Sequence, residues 1–307
     1  IRKFGWSAKF VDFDDPKAIE HAIDANTRAV FCETICNPGG ALSDLPAIAR
    51  VADMAGIPLI VDNTTASPYL CRPIEFGADI VVHSATKFMG GHGTTMGGVI
   101  VESGKFPWDN GKFPGMTEPS RGYHGVRFYE TFGDFGFTMK CRMETLRTLG
   151  PCLSPINAFL LLQGLETLHV RMDRHVANAK RVSEFLEAHP RVKWVNFPSL
   201  RSSPYHALAQ KYLPKGCGSI MTFGIQGGVA AGEKFIEACQ FLSHLANVGD
   251  AKTLVIHPAS TTHRQLSEEE QIKAGVSPDM IRLSVGIEDI DDILWDIEQA
   301  LAKSAEA

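Results

Sequence analysis

Four short apolar runs in the first third of the chain constrain its fold more than any other feature. Residues 29–33 (AVFCE), 57–62 (IPLIVD), 78–83 (ADIVVH) and 98–102 (GVIVE) are continuous rather than alternating, the pattern of strands buried on both faces. They read as parallel central strands. Between the first two, Ser43 and Asp44 precede Pro46, an amphipathic stretch follows, and Gly56 closes it, which predicts a capped crossover helix. Strands joined this way form an α/β layer, a mainly parallel sheet sandwiched by helices.

The rest of the chain divides around this layer. At 307 residues it exceeds the roughly 250–300 at which one core usually stops growing, so two domains are expected. Residues 103–136 are rich in Gly, Pro and aromatics and read as a long functional or interface loop inserted in the first domain. Residues 157–188 keep helical periodicity through about eight turns and carry the boundary, giving a large domain over 1–165 and a small α+β domain over 166–307. In the second, strands are expected at VKWVNF, SIMTFGI, TLVIHP and IRLSVGI, and helices around 204–213, 230–240 and from Asp289 onward. Ser267 with Glu270 is a capping box that starts a further helix.

Composition excludes several classes. AVILMFWYC residues make up 44% and DEKR residues 21%, ordinary globular usage, and no run approaches the roughly 18 apolar residues of a membrane helix. Thirty basic against 35 acidic residues give a net charge of −5, so a nucleic-acid partner has no electrostatic support. The seven cysteines are odd in number and lack CxxC spacing. They predict reduced thiols and a cytoplasmic setting, with Cys32 and Cys36 acting as small hydrophobes. The chain opens IRKFGWSAKFVDFDD without Met or signal-like pattern, as though a beginning had been removed; residues 10–15 read as the end of a strand and its turn.

Asp62 closes the second apolar run, and Ser84-Ala85-Thr86-Lys87 follows the third. Ligands bind at the carboxyl ends of parallel strands. A carboxylate at one strand end and an amine just past another suit pyridoxal phosphate, whose ring nitrogen wants an anion and whose aldehyde wants a lysine. Ser84 and Thr86 offer hydroxyls to its phosphate. The same residues also fit a plain strand end with a turn Asp and an exposed Lys, and spacing does not separate the two. The glycines after Lys87 are compatible with cofactor approach or with turns. His83 and His92 flank the lysine without a further ligand at metal spacing, so no metal is expected. Arg282 lies inside an apolar strand, where it either meets a carboxylate, that of a substrate or of Glu288 or Asp289, or points out of an edge.

Taken together, ETICNPGG at 33–40, VDNTTASPYLCRP at 61–73, HSATKFMGGHG at 83–93, HPASTTH at 257–263 and IRLSVGIED at 281–289 resemble the Cys/Met-metabolism pyridoxal phosphate enzymes of fold type I. The match in order and spacing runs over essentially the whole chain. The resemblance implies that Lys87 forms the Schiff base, Asp62 pairs with the pyridinium nitrogen, and Ser84 and Thr86 contact the phosphate. It places Asn37 near the cofactor hydroxyl and the substrate carboxylate, and Arg282 on that carboxylate. Asn247 stands beside the substrate where the family's lyases usually carry serine, which favours its sulfhydrylase branch. The implied reaction is γ-replacement, O-acetyl-L-homoserine and sulfide giving homocysteine and acetate. The alternatives are an O-succinylhomoserine donor, cystathionine γ-synthase or γ-lyase chemistry, and an inactive scaffold. The resemblance further implies a homo-oligomer, dimer or tetramer, and a preceding N-terminal stretch that supplies cofactor contacts. Without it the chain is expected to hold the cofactor weakly or not at all.

Overall fold

The computed structural model describes residues 2–38 and 40–306. Its first sheet contains β1 (Val30–Glu33), β2 (Leu59–Asp62), β3 (Ile80–Ser84) and β4 (Gly98–Glu102), in that order. β1 and β2 are parallel with Glu33 opposite Asp62, and β2 and β3 are parallel with Asp62 opposite Val82, so their carboxyl ends open on one edge. The expected crossover helix spans Leu45–Met54, capped by Asp44, whose carboxylate accepts from the Ala47 amide.

β4 departs from the expectation. It pairs antiparallel with β3, Ser84 opposite Gly98, because residues 85–97 double back without the crossover helix that a parallel neighbour requires. It is also an exposed edge rather than a buried strand, with Val99, Ile100 and Val101 at 37–49% exposure, and β1, the other edge, departs in the same way, with Phe31 61% exposed. Residues 10–15 contain no strand; the segment is exposed, and order resumes with the Asp15-capped helix Pro16–Ala22, absent from the sequence reading. Residues 103–136 form a packed insert instead of a bare loop. Short helices at Pro114–Thr117 and Phe128–Phe132 close over a separate cluster of Phe106, Trp108, Met116 and Phe128 beneath the first sheet.

The long helix over 157–188 is two helices, Pro155–Glu166 and Leu168–Ala188, that meet at Thr167. The physical reason is a close approach: a Cβ on Gly164 would lie 2.3 Å from the Met89 carbonyl oxygen, so the first helix is pressed against the turn after β3, and the second must change direction to reach the other sheet. That sheet contains β5 (Val192–Asn196), β6 (Ile220–Ile225), β7 (Ser243–His244), β8 (Leu254–Ile256) and β9 (Met280–Ser284), ordered β5-β6-β9-β8-β7. Four of these are the expected strands, and β7 is too short to show in the sequence. Helices follow at His206–Tyr212, Gly228–Ala238, Glu268–Lys273 and Ile290–Lys303, the third with both halves of the Ser267/Glu270 capping box formed. The principal buried cluster runs from Ile19 to Leu301 through both sheets, so each sheet rests on the same apolar interior. Among the described residues, no helix is long and apolar enough to cross a membrane, and all seven cysteines are free thiols.

Candidate cofactor and substrate site

The carboxyl ends of β1, β2 and β3 are tied together by the turn that follows β2. Asp62 Oδ1 accepts from the Thr64 amide at 2.9 Å, and Thr64 Oγ1 accepts from the Ser84 amide at 2.8 Å. Asn63, fully buried, completes the tie. Its amide donates to the Val82 carbonyl, its Oδ1 accepts from Thr34 Oγ1 at 2.7 Å, and its Nδ2 donates to the carbonyls of Ser67 and Cys71. Asp62 is thus held beside the segment that carries Ser84, Thr86 and Lys87.

Lys87 sits in a tight turn in which the Gly91 amide donates to the Lys87 carbonyl at 2.7 Å and the Gly90 amide to that of Ala85 at 2.9 Å. Its amine donates to Asn247 Oδ1 across 160 residues of sequence. Arg282 Nη2 donates to the Asn247 backbone carbonyl at 3.0 Å, and its Nη1 approaches Asn37 Oδ1 at 3.5 Å. Four of the seven expected site residues therefore meet around Asn247. Asp62, Ser84 and Thr86 stay at the strand ends, and the Thr86 hydroxyl is engaged with Gly97, accepting from its amide at 3.1 Å. An internal ion pair for Arg282 is ruled out among the described residues. Glu288 accepts from Thr253 Oγ1 at 2.8 Å and Asp289 caps the final helix.

The electrostatics favour a reactive amine. Burial, and secondarily the positive charge of Arg282, lower the Lys87 pKa below that of an ordinary lysine, and its hydrogen-bond partner is a neutral carboxamide that does not hold it charged. Burial likewise lowers the pKa of Arg282. Burial raises that of Glu33, against the opposing Asn37 amide, with a further increment from Asp62. His83 is buried, burial lowers its pKa, and its Nδ1 has no hydrogen-bond partner. No cluster of three or more metal-ligating side chains occurs among the described residues. Cys32 and Cys36 are inert small hydrophobes, since burial pushes their thiols to about 11 and about 12.

Two features escape a reading of spacing alone. Arg171 donates to the carbonyls of Phe88 and Met89, immediately after Lys87; its signal in the sequence is a cation on the same helical face as Leu168, Met172 and His175. Gly249 has φ +74°, and a Cβ there would lie 2.7 Å from the Phe88 amide nitrogen and 3.1 Å from the Lys87 carbonyl carbon. The loop bearing Asn247 is packed directly on the lysine turn, and the Ala251 amide donates to the Gly91 carbonyl at 2.8 Å.

A half-buried amine with a lowered pKa, a carboxylate on the adjacent strand end and a guanidinium one residue away describe a site that fits pyridoxal phosphate and an amino-acid substrate. The profile of the Cys/Met metabolism PLP-dependent enzymes matches residues 1–302, and the chain belongs to that family of cofactor-dependent enzymes. Among its relatives are an O-acetyl-L-homoserine sulfhydrylase of Leptospira meyeri, 51% identical over 97% of this chain and 70% of that protein, and a homocysteine synthase of Schizosaccharomyces pombe, 54% identical over 98% and 71%. A crystal structure of a putative O-acetylhomoserine (thiol)-lyase from Campylobacter jejuni, which carries a pyridoxyl-lysine monophosphate, superposes with a TM-score of 0.94 at 40% identity, covering 98% of this chain and 72% of that one.

Proposed function

We propose that the protein catalyses γ-replacement on O-acetyl-L-homoserine: sulfide displaces acetate and L-homocysteine is formed. The observation that carries this reading is the convergence of Lys87 and Arg282 on Asn247. An amine held at the side chain of one asparagine and a guanidinium held at its backbone carbonyl suit a substrate bearing an α-amino group beside an α-carboxylate.

Pyridoxal phosphate, when bound, supplies an electron sink for the carbanion at Cα. Lys87 would hold the cofactor aldehyde and regain its free amine once the substrate amine has taken its place, Asp62 would hold the proton on the ring nitrogen, and Ser84 and Thr86 would serve the phosphate. Arg282 takes the substrate carboxylate with Asn37 beside it, fixing Cα within reach of the lysine. Lys87 then removes the Cα proton and one Cβ proton. The Cγ–O bond breaks with its electron pair leaving on acetate, hydrosulfide forms the Cγ–S bond, and Lys87 returns both protons. Asn247 accepts a hydrogen bond from the Lys87 amine and holds it at the reacting carbons. We place the protein in the cytoplasm, where its free thiols stay reduced, as a homo-oligomer.

The test is reduction with borohydride in the presence of pyridoxal phosphate, followed by peptide mapping and by turnover assays with O-acetyl-L-homoserine, O-succinylhomoserine, sulfide and cysteine. With the N-terminal stretch that the family resemblance implies supplied, label on Lys87, turnover of the acetyl donor with sulfide, and loss of turnover in Lys87→Ala are expected. More than residual activity in Lys87→Ala removes the lysine from this role, and preference for another donor or acceptor replaces the substrates.

A further inference from the structure

Arg171 is 5% exposed yet has no ion pair to a carboxylate among the described residues. Its guanidinium is satisfied by neutral oxygens. Nη1 donates to the Phe88 carbonyl at 2.7 Å, Nη2 to the carbonyls of Met89 at 3.2 Å and Gly164 at 2.6 Å, and Nε to Thr167 Oγ1 at 3.2 Å. Burying a charge without a counter-ion is costly, and a methionine would fill much of the same space without that cost. What the arginine adds is geometry, because a planar fork of donors fixes several acceptors relative to one another. Two of its acceptors follow Lys87 directly; the other two flank the break between the Pro155–Glu166 and Leu168–Ala188 helices.

We propose that Arg171 is a positioning residue that clamps the turn carrying Lys87 to this helix junction, so that the direction of the amine is set by the helices and not by the turn alone. The surroundings leave the clamp no slack. A Cβ on Gly91 would lie 2.2 Å from Arg171 Nη1, and one on Gly164 would lie 2.3 Å from the Met89 oxygen. The loop at 247–251 also presses on Phe88 and bonds Gly91. The Lys87 turn is therefore held both by the helix junction and by the loop that presents Asn247.

The inference rests on the assignment of Lys87 as the cofactor lysine, and the experiment separates the two. Arg171→Lys, Arg171→Met and the milder Thr167→Val, which removes the Nε acceptor and a weak bond from the Thr167 hydroxyl to the Gly164 carbonyl at 3.4 Å, are compared with the wild-type protein in kcat, KM, thermal midpoint and the rate of borohydride-trapped label at Lys87. A small displacement of a reacting group costs up to about a hundredfold in rate. The arginine variants are expected to lose about tenfold or more in kcat, with KM for O-acetyl-L-homoserine within about twofold of wild type. Trapping at Lys87 slows in parallel, lysine does not rescue, and Thr167→Val falls between. Folded variants that lose thermal stability but keep wild-type kcat and trapping overturn the proposal. If the arginine variants do not fold, an unchanged kcat and trapping rate in Thr167→Val does the same. Absence of label on Lys87 in the wild-type protein, measured with the N-terminal stretch that the resemblance implies supplied, overturns the lysine assignment and the clamp with it.

Discussion

Replacement of Gly249 by alanine tests the packing of the Asn247 loop on the lysine turn. Its φ of +74° lies in the left-handed region, where an L-residue is disfavoured by roughly 1–2 kcal/mol, partly offset by about 0.4–1 kcal/mol from the stiffer unfolded chain. The added methyl would lie 2.7 Å from the Phe88 nitrogen and 3.0 Å from its ring. Neither yields easily, because Phe88 is 1% exposed and its carbonyl is held by Arg171. Overpacking of this kind costs about 1–3 kcal/mol, and retreat of the loop loosens the bond from the Gly249 amide to Ser284 Oγ at 3.0 Å, worth about 1 kcal/mol. A net loss of about 3 kcal/mol is expected. Gly150→Ala is the control: its φ is +73° and nothing lies within 4 Å of the added methyl, so it carries the backbone term alone, at most about 1.6 kcal/mol. Urea unfolding at unchanged m-value gives both numbers, and trapping of label at Lys87 reports the displaced turn. Equal losses in the two variants, with normal trapping, would refute the reasoning.

Other substitutions probe separate parts of the structure. Arg282→Gln removes a charged hydrogen-bond donor from the proposed carboxylate site and should raise KM for O-acetyl-L-homoserine by about ten- to a hundredfold; it also raises the Lys87 pKa, because one of the two causes lowering it is gone, and the acid limb of the activity profile moves to higher pH. His175 Nδ1 donates to the Val285 carbonyl at 2.7 Å, and burial depresses its pKa from 6.5 to about 4. The unfolded chain takes up that proton near pH 6.5 while the folded one resists until about 4, so its contribution is fully present above the unfolded value and up to about 3 kcal/mol is lost as pH falls through this window. Chemical denaturation across that range should show the acid slope in wild type and a shallower one in His175→Gln. Asp296, fully buried, accepts from the amides of Gln240, Phe241 and Leu242. Asp296→Ala strands those donors and should cost about 2–4 kcal/mol by urea unfolding, whereas a change under about 1 kcal/mol would show that water replaces the carboxylate.

Local features of the chain decided much of this architecture on their own. Continuous apolar runs mark β2 and β3 because a strand covered on both faces has no polar positions to spare; the run at β1 marks a strand as well, but one at the sheet edge with Phe31 61% exposed. The Asp44 and Ser267 caps mark their helices because orphan amides at a helix start need an acceptor within three residues. The same locality placed Asp62, Ser84, Thr86 and Lys87 at strand ends, since each lies within a few residues of a run that is itself legible. Tertiary structure alone decided what depends on neighbours distant in sequence. β4 looks like its parallel neighbours, but its direction follows from how residues 85–97 fold back. The 157–188 helix breaks at Thr167 because Gly164 meets the turn after Lys87, a contact no periodicity encodes. Nothing local to the strand says where the Arg282 guanidinium goes; the fold carries Glu288 to Thr253 and the guanidinium to the Asn247 carbonyl. Local chemistry sets which residues are able to react; packing across many tens of residues sets which of them meet, because side-chain partners are selected by the shape of the shared core rather than by order along the chain.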